Sequence, residues 1–143
     1  MSHHWLILAV VLAVGMTGCD SGPQVAPVEG TVLLDGEPLV GASVNTQPLG
    51  TSSNPNPGAG SFGTTDEQGH YNLELVDPPI AGAVLGEHRV TITRKDKDNY
   101  SSSDKFVLPQ GIPWPVRYGD GSLRLTVTPE GNIEANFDLT LKQ

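Results

Sequence analysis

The 143-residue chain holds one thiol, Cys19, placed directly after Gly15-Met16-Thr17-Gly18 and an unbroken apolar stretch from Trp5 to Val14. A lone cysteine makes no internal bridge, so a disulfide-stapled miniprotein is excluded. Further along, Gly58-Ala59-Gly60-Ser61-Phe62-Gly63 matches G-x-G-x-x-G. That fingerprint holds a dinucleotide only when a strand leads in and a helix leads out, with the pyrophosphate at the helix N-terminus. Here Asn54-Pro55-Asn56-Pro57 leads in and a strand pattern leads out, so the segment reads as a loop. Asp96, Asp98, Asn99 and Asp104 offer oxygen ligands at calcium-like spacing, but Ser101 and Val107 stand where a full calcium loop needs Gly and Glu. A solvated charged loop is the simpler reading. His70 and His88 lie next to or within strand patterns, and two separated imidazoles fall short of a zinc site. Neither sits beside a serine marked as a nucleophile, and Gly119-Asp120-Gly121-Ser122 alternates into Leu123 and Leu125 as a turn entering a strand. In Ile112-Pro113-Trp114-Pro115-Val116-Arg117-Tyr118, prolines stiffen a segment carrying residue types that binding surfaces favour. Trp114, Arg117 and Tyr118 are therefore the candidate ligand residues, for a glycan or a partner protein. The competing role for Trp114 is to plug the open end of the fold. The expectation is a protein without catalytic residues, cofactor or metal.

Charge narrows the partners. The chain has 16 acidic against 8 basic side chains, a net charge of −8. Phosphate contacts require a basic surface, so nucleic acid is excluded as a partner. From Asp20 to Glu87 the sequence has nine acids and neither Lys nor Arg; beyond it, eight bases face seven acids. An acidic first half repels an anionic membrane surface rather than adsorbing to it.

The residues around Cys19 resemble the lipobox of bacterial lipoproteins. As a helix, the apolar stretch before it would span about 15 Å, half of a hydrocarbon core, which suits a signal peptide better than a spanning helix. The resemblance implies that the Cys19 thiol receives a diacylglyceryl group, that the chain is cut before it, and that the new amine is acylated. The departures are Met16, where leucine is usual, and an n-region, Met1-Ser2-His3-His4, without Lys or Arg. An ordinary secretory signal and an uncleaved anchor are the alternatives. Each buried CH₂ contributes about 0.8 kcal/mol, so several acyl chains together hold firmly. Asp20 resembles the inner-membrane retention signal of enteric sorting systems, and inner and outer membrane both stay open.

After residue 27 the text is written in period two, the pattern of half-buried strands. Val28, Val32 and Leu34 share a face, as do Val40, Ala42 and Val44; Tyr71, Leu73 and Leu75; His88, Val90 and Ile92; and Leu123, Leu125 and Val127. Residues 47–63 form a long Pro-, Gly-, Ser- and Asn-rich loop. Pro129-Glu130-Gly131-Asn132 predicts a hairpin turn into a final strand with Ile133, Ala135, Phe137, Leu139 and Leu141 on one face. The fold class is all-β: a single antiparallel β-sandwich of about seven strands, transthyretin-like or Ig-like. The expected organisation is a signal peptide at 1–18, a lipidated cysteine and flexible tether at 19–27, and one domain at 28–143.

Val28-Glu29-Gly30-Thr31-Val32 with Asp35-Gly36-Glu37-Pro38-Leu39-Val40-Gly41-Ala42-Ser43-Val44 resembles the opening of carboxypeptidase regulatory-like domains. Thr65-Asp66-Glu67-Gln68-Gly69-His70-Tyr71 and Gly86-Glu87-His88-Arg89-Val90-Thr91-Ile92 resemble their two later motifs. The resemblance implies a prealbumin-type sandwich serving as a folding, adhesion or binding module rather than an enzyme. Related adhesins carry a Lys–Asn crosslink with lysine on the first strand, whereas no lysine here precedes Lys95. Transthyretin-like hydrolases end in Tyr-Arg-Gly-Ser, whereas this chain ends Thr140-Leu141-Lys142-Gln143. The expected function is a lipid-anchored cell-envelope protein with a non-enzymatic binding or structural module. The alternative is a carbohydrate- or calcium-assisted ligand binder using loops 47–63 and 96–120.

Overall fold

A computed structural model describes residues 22–94 and 114–142. The signal segment, Cys19, the Asp96–Asp104 loop, Ile112 and Pro113 lie outside the described residues. Among the described residues, no helix is long and apolar enough to cross a membrane.

The described residues are nearly all β, as their period-two text requires. Their strands are β1 (Val25–Ala26), β2 (Glu29–Leu34), β3 (Glu37–Pro38), β4 (Ala42–Pro48), β5 (Ser61–Thr64), β6 (His70–Asn72), β7 (Glu74–Leu75), β8 (Ala83–Val84), β9 (Gly86–Arg94), β10 (Leu123–Val127) and β11 (Phe137–Leu139). A short helix, α1 (Val116–Gly119), precedes β10. Several short strands are halves of one run: β6 and β7 are separated only by Leu73, and β8 and β9 only by Leu85. One sheet has the order β10-β9-β4-β5-β7; the other joins β11, β2 and β3, with β6 also pairing β2. The β6–β7 run thus passes from one sheet to the other, and the separate β1–β8 pair adds Ala26 and Ala83 to the core. Ala42 and Val44, Val90 and Ile92, and Leu125 and Val127 face inward from the larger sheet onto Val32, Tyr71 and Leu139 of the smaller. This is the alternation of half-buried antiparallel strands.

Turn chemistry sets the register. Asp35 and Gly36 both have positive φ, 51° and 85°, the geometry of the tight two-residue hairpin that Asp-Gly favours. Asp66 Oδ1 accepts from the amides of Gln68 and His70, each at 2.9 Å, and so folds its own turn. Thr65, buried beside it, donates its hydroxyl to the Leu39 carbonyl at 2.5 Å and accepts from the Ala42 amide at 2.8 Å. These bonds fasten the Val40–Gly41 turn, which is why Val40 is exposed instead of sharing the inward face of Ala42 and Val44.

The C-terminal segment departs from expectation in two ways. Ile133 is exposed, and only Phe137–Leu139 of the predicted long strand enters a ladder. That ladder is parallel to β2, with Phe137 opposite Val32, not a hairpin with β10. The reason lies in the turn. Gly131 packs on the Pro27 carbonyl, the Asn132 amide donates to that same carbonyl at 2.8 Å, and the Glu29 amide donates to Asn132 O at 2.9 Å. The chain is thereby carried across to the smaller sheet. Inward and outward residues still alternate from Ala135 to Lys142.

That crossing ends on a tightly built contact. Gly30, opposite Tyr71 in the β2–β6 ladder, lies so close to the Ala135 carbonyl that a methyl group would overlap it. Tyr71, 1% exposed, donates its hydroxyl to that carbonyl at 2.5 Å, and the Ala135 amide donates to Glu29 O at 3.0 Å. Burial pushes the Tyr71 hydroxyl well above the usual tyrosine pKa, so it stays a donor. Tyr71→Phe should cost about 1–3 kcal/mol by leaving a buried carbonyl unpaired. Gly30→Ala should cost more, because backbone must move. Thermal melts of both variants check the order; a Gly30→Ala protein as stable as wild type contradicts it.

Candidate functional site

β10 pairs with β9 only from Gly86 to Val90, and among the described residues no strand pairs the second half of β9 on that side. Trp114 takes the place of one: its indole N–H donates to the Ile92 carbonyl at 3.0 Å, and its ring is buried, 7% exposed. Pro115 starts the single helical turn of α1, whose Tyr118 ring packs against Trp114 with centroids 5.8 Å apart. Arg117 lies over the Tyr118 ring at 4.7 Å. The sequence-predicted residues Trp114, Arg117 and Tyr118 therefore do come together.

Their working surfaces are engaged by the protein. The Tyr118 hydroxyl donates to Thr140 O at 2.9 Å and accepts from the Thr140 amide at 2.7 Å. Arg117 donates to the carbonyls of Thr140 and of Lys142, the latter at 2.8 Å. Asp35 holds the same tail from the other side, accepting from the Thr140 hydroxyl at 2.9 Å and the Leu141 amide at 3.3 Å. The cluster ties helix, last strand and first hairpin together. A stacking platform needs an aromatic face in solvent, and neither ring offers one.

His70 and His88 stand on strands of different sheets and do not converge. His70 is exposed. His88 is fully buried between Pro48 of β4 and Leu125 of β10. Its Nε2–H donates to the Val84 carbonyl at 2.7 Å, and its Nδ1 has no partner among the described residues. Burial lowers its pKa, and the Val84 hydrogen bond offsets only part of that. The Ser122 hydroxyl donates to Arg117 O at 2.8 Å, as part of the turn into β10. Gly58–Gly63 runs straight into β5 and has no helix after it. Among the described residues no three His, Cys, Asp or Glu side chains converge.

A different group emerges on the outer face of the larger sheet. Arg89 and Arg124 stand directly opposite each other there, one strand away from Gln47. Alternation alone places each on the wet side of its strand. Only strand order shows that they are neighbours.

The chain matches no protein-family model, no curated protein and no solved structure.

Two outcomes follow from this geometry. Trp114→Ala should destabilise the fold by about 3–5 kcal/mol, the usual cost of removing a buried tryptophan; an unchanged melting temperature would show that the ring is not part of the core. For His88, the folded pKa lies below the unfolded value near 6.5, so the unfolded chain binds more protons between the two. Its contribution to stability is complete above that window and falls as pH drops through it. Subtracting the stability profile of His88→Gln from that of the wild type should leave this rising limb; a flat difference contradicts it.

Proposed function

We propose that the chain is an exported, lipid-anchored envelope protein, held to its membrane through Cys19 and presenting a non-enzymatic β-sandwich that binds or scaffolds. The observation that carries this reading is the position of the single cysteine: small residues precede it, ten apolar residues precede those, and no other thiol occurs. The tether is short. β1 begins at Val25, six residues after Cys19, a reach of about 20 Å at full extension. The sandwich is therefore held close to the bilayer, and the acidic stretch from Asp20 to Glu87 keeps it from lying flat on anionic lipid.

The placement of reactive groups supports a binding or structural role. His88 is sealed in the core, the Tyr71 hydroxyl is committed to Ala135, and Thr65 is bonded through both its donor and acceptor capacity. The turn motifs support kinship with carboxypeptidase regulatory-like domains. Asp35-Gly36 and Asp66–Gly69 are spent on backbone geometry, as motifs specifying a fold rather than a reaction would be.

Cys19→Ser tests the anchor. The variant should move from the membrane fraction to the soluble fraction and lose incorporation of labelled palmitate. Continued membrane retention with unchanged labelling overturns the reading.

A further inference from the structure

The described residues include five bases, Arg89, Arg94, Arg117, Arg124 and Lys142, and two of them are placed side by side. Like charges directly opposite on a ladder repel each other, so the facing charges of Arg89 and Arg124 do not themselves stabilise the sheet. Both side chains are nevertheless gathered around one point. Gly121, at φ 77°, leaves a space that the Arg89 stem fills so closely that a Cβ there would overlap it. Arg124 Nη1 donates to the Gly121 carbonyl at 2.6 Å and to Leu123 O at 3.0 Å. Arg124 Nε also lies 3.6 Å from Glu87, a loose, solvent-exposed pair. Arg89 has no ionic partner among the described residues.

The same face continues across the sheet. Gln47 stands opposite Arg89, and in the next row Thr91, Asn45 and Phe62 follow one another on β9, β4 and β5. Phe62 is 45% exposed, with its ring on this outer face. At the usual spacing of strands, the arginine pair and Phe62 are on the order of 12 Å apart, room for a short oligosaccharide. Planar amides and a threonine hydroxyl between them supply donors and acceptors for ring hydroxyls, and an aromatic ring supplies an apolar contact. The Arg89 guanidinium supplies bidentate recognition of a carboxylate, and Arg124, partly engaged by Gly121, Leu123 and Glu87, adds positive charge and its remaining donor beside it.

We propose that this face binds a carboxylate-bearing glycan, with a uronic-acid carboxylate on Arg89 and Arg124 and a neighbouring sugar ring on Phe62. The proposal rests on the reading of the sandwich as a binding module and names its ligand class. Charge complementarity selects the occupant: the pair is a local positive spot on a chain of net charge −8. Isolated carboxylates fit such a spot. Duplex DNA, with a charge about every 1.7 Å of its axis, meets Glu87 and the surrounding acidity instead.

The test is calorimetric titration of the full chain in detergent with a short oligogalacturonate and with its methyl-esterified form. The acid form should bind, and esterification should weaken binding about tenfold or more, as expected for loss of a charge-assisted pair. Arg89→Gln, Arg124→Gln and Phe62→Ala should each weaken it in protein that circular dichroism shows to be folded, while Lys142→Gln, which removes equal charge elsewhere, should leave it unaltered. Equal binding of the esterified form, wild-type affinity in both arginine variants, equal competition by a short DNA strand, or no binding of the acid form overturns the proposal. Cys19→Ser protein should bind with wild-type affinity, so failure of the anchor and failure of this site are read separately. Binding that vanishes with Cys19 would assign it to the lipid and overturn the site.

Discussion

The tightest contact between the last segment of the chain and the rest is made at one backbone carbonyl, that of Ala135. It sits where only a glycine fits beneath it, Gly30, and where only a tyrosine reaches it, Tyr71. A buried carbonyl without a partner is costly, so the hydroxyl and the glycine must arrive together. The Asn132–Pro27 turn delivers the chain to that junction, and from there the parallel register of β11 on β2 brings Thr140 to the Tyr118 hydroxyl and the Asp35 carboxylate. Tyr118 in turn packs on Trp114, whose indole bonds the Ile92 carbonyl of β9. The line of contacts runs from that junction to the cap at the far end.

Much of the fold was legible because its rules are local. Period two identified the buried faces of β2, β4, β9 and β10, and glycine after aspartate marked the first hairpin. What was not legible was pairing across long separations. Nothing in Ile133 to Leu141 distinguishes a strand returning to β10 from one crossing to β2. The choice is made by the Pro27 carbonyl meeting Asn132, residues more than a hundred positions apart. Residue type and flanking prolines likewise marked Trp114, Arg117 and Tyr118 as ligand candidates, with a core plug as the other role for Trp114, but residue type carries no information about burial. Their hydrogen-bond partners, Ile92, Thr140 and Lys142, are what turn them into a structural cap. Arg89 and Arg124 were overlooked for the same reason: each is an ordinary exposed residue until strand order makes them adjacent.

The division of labour within the sandwich follows. Its interior consumes the groups with the richest chemistry, leaving His88 neutral in the core and Tyr71 committed as a donor. Its outer sheet face keeps exposed guanidinium, amide, hydroxyl and aromatic groups on a rigid frame. A frame of hydrogen-bonded strands presents such groups without the ordering cost that a loop would pay. The sandwich thus offers a fixed, chemically varied outer surface over a sealed interior.

Native-state hydrogen exchange at the Ala135 amide tests the central dependence most directly. That amide donates to Glu29 O beside the Tyr71 junction. If the C-terminal crossing is integral to the sandwich, Ala135 should exchange only through global unfolding, with the same free energy of opening as the β4–β9 ladder. Exchange at Ala135 orders of magnitude faster, while β4 and β9 remain protected, would show that the last strand opens by itself and contradict the account.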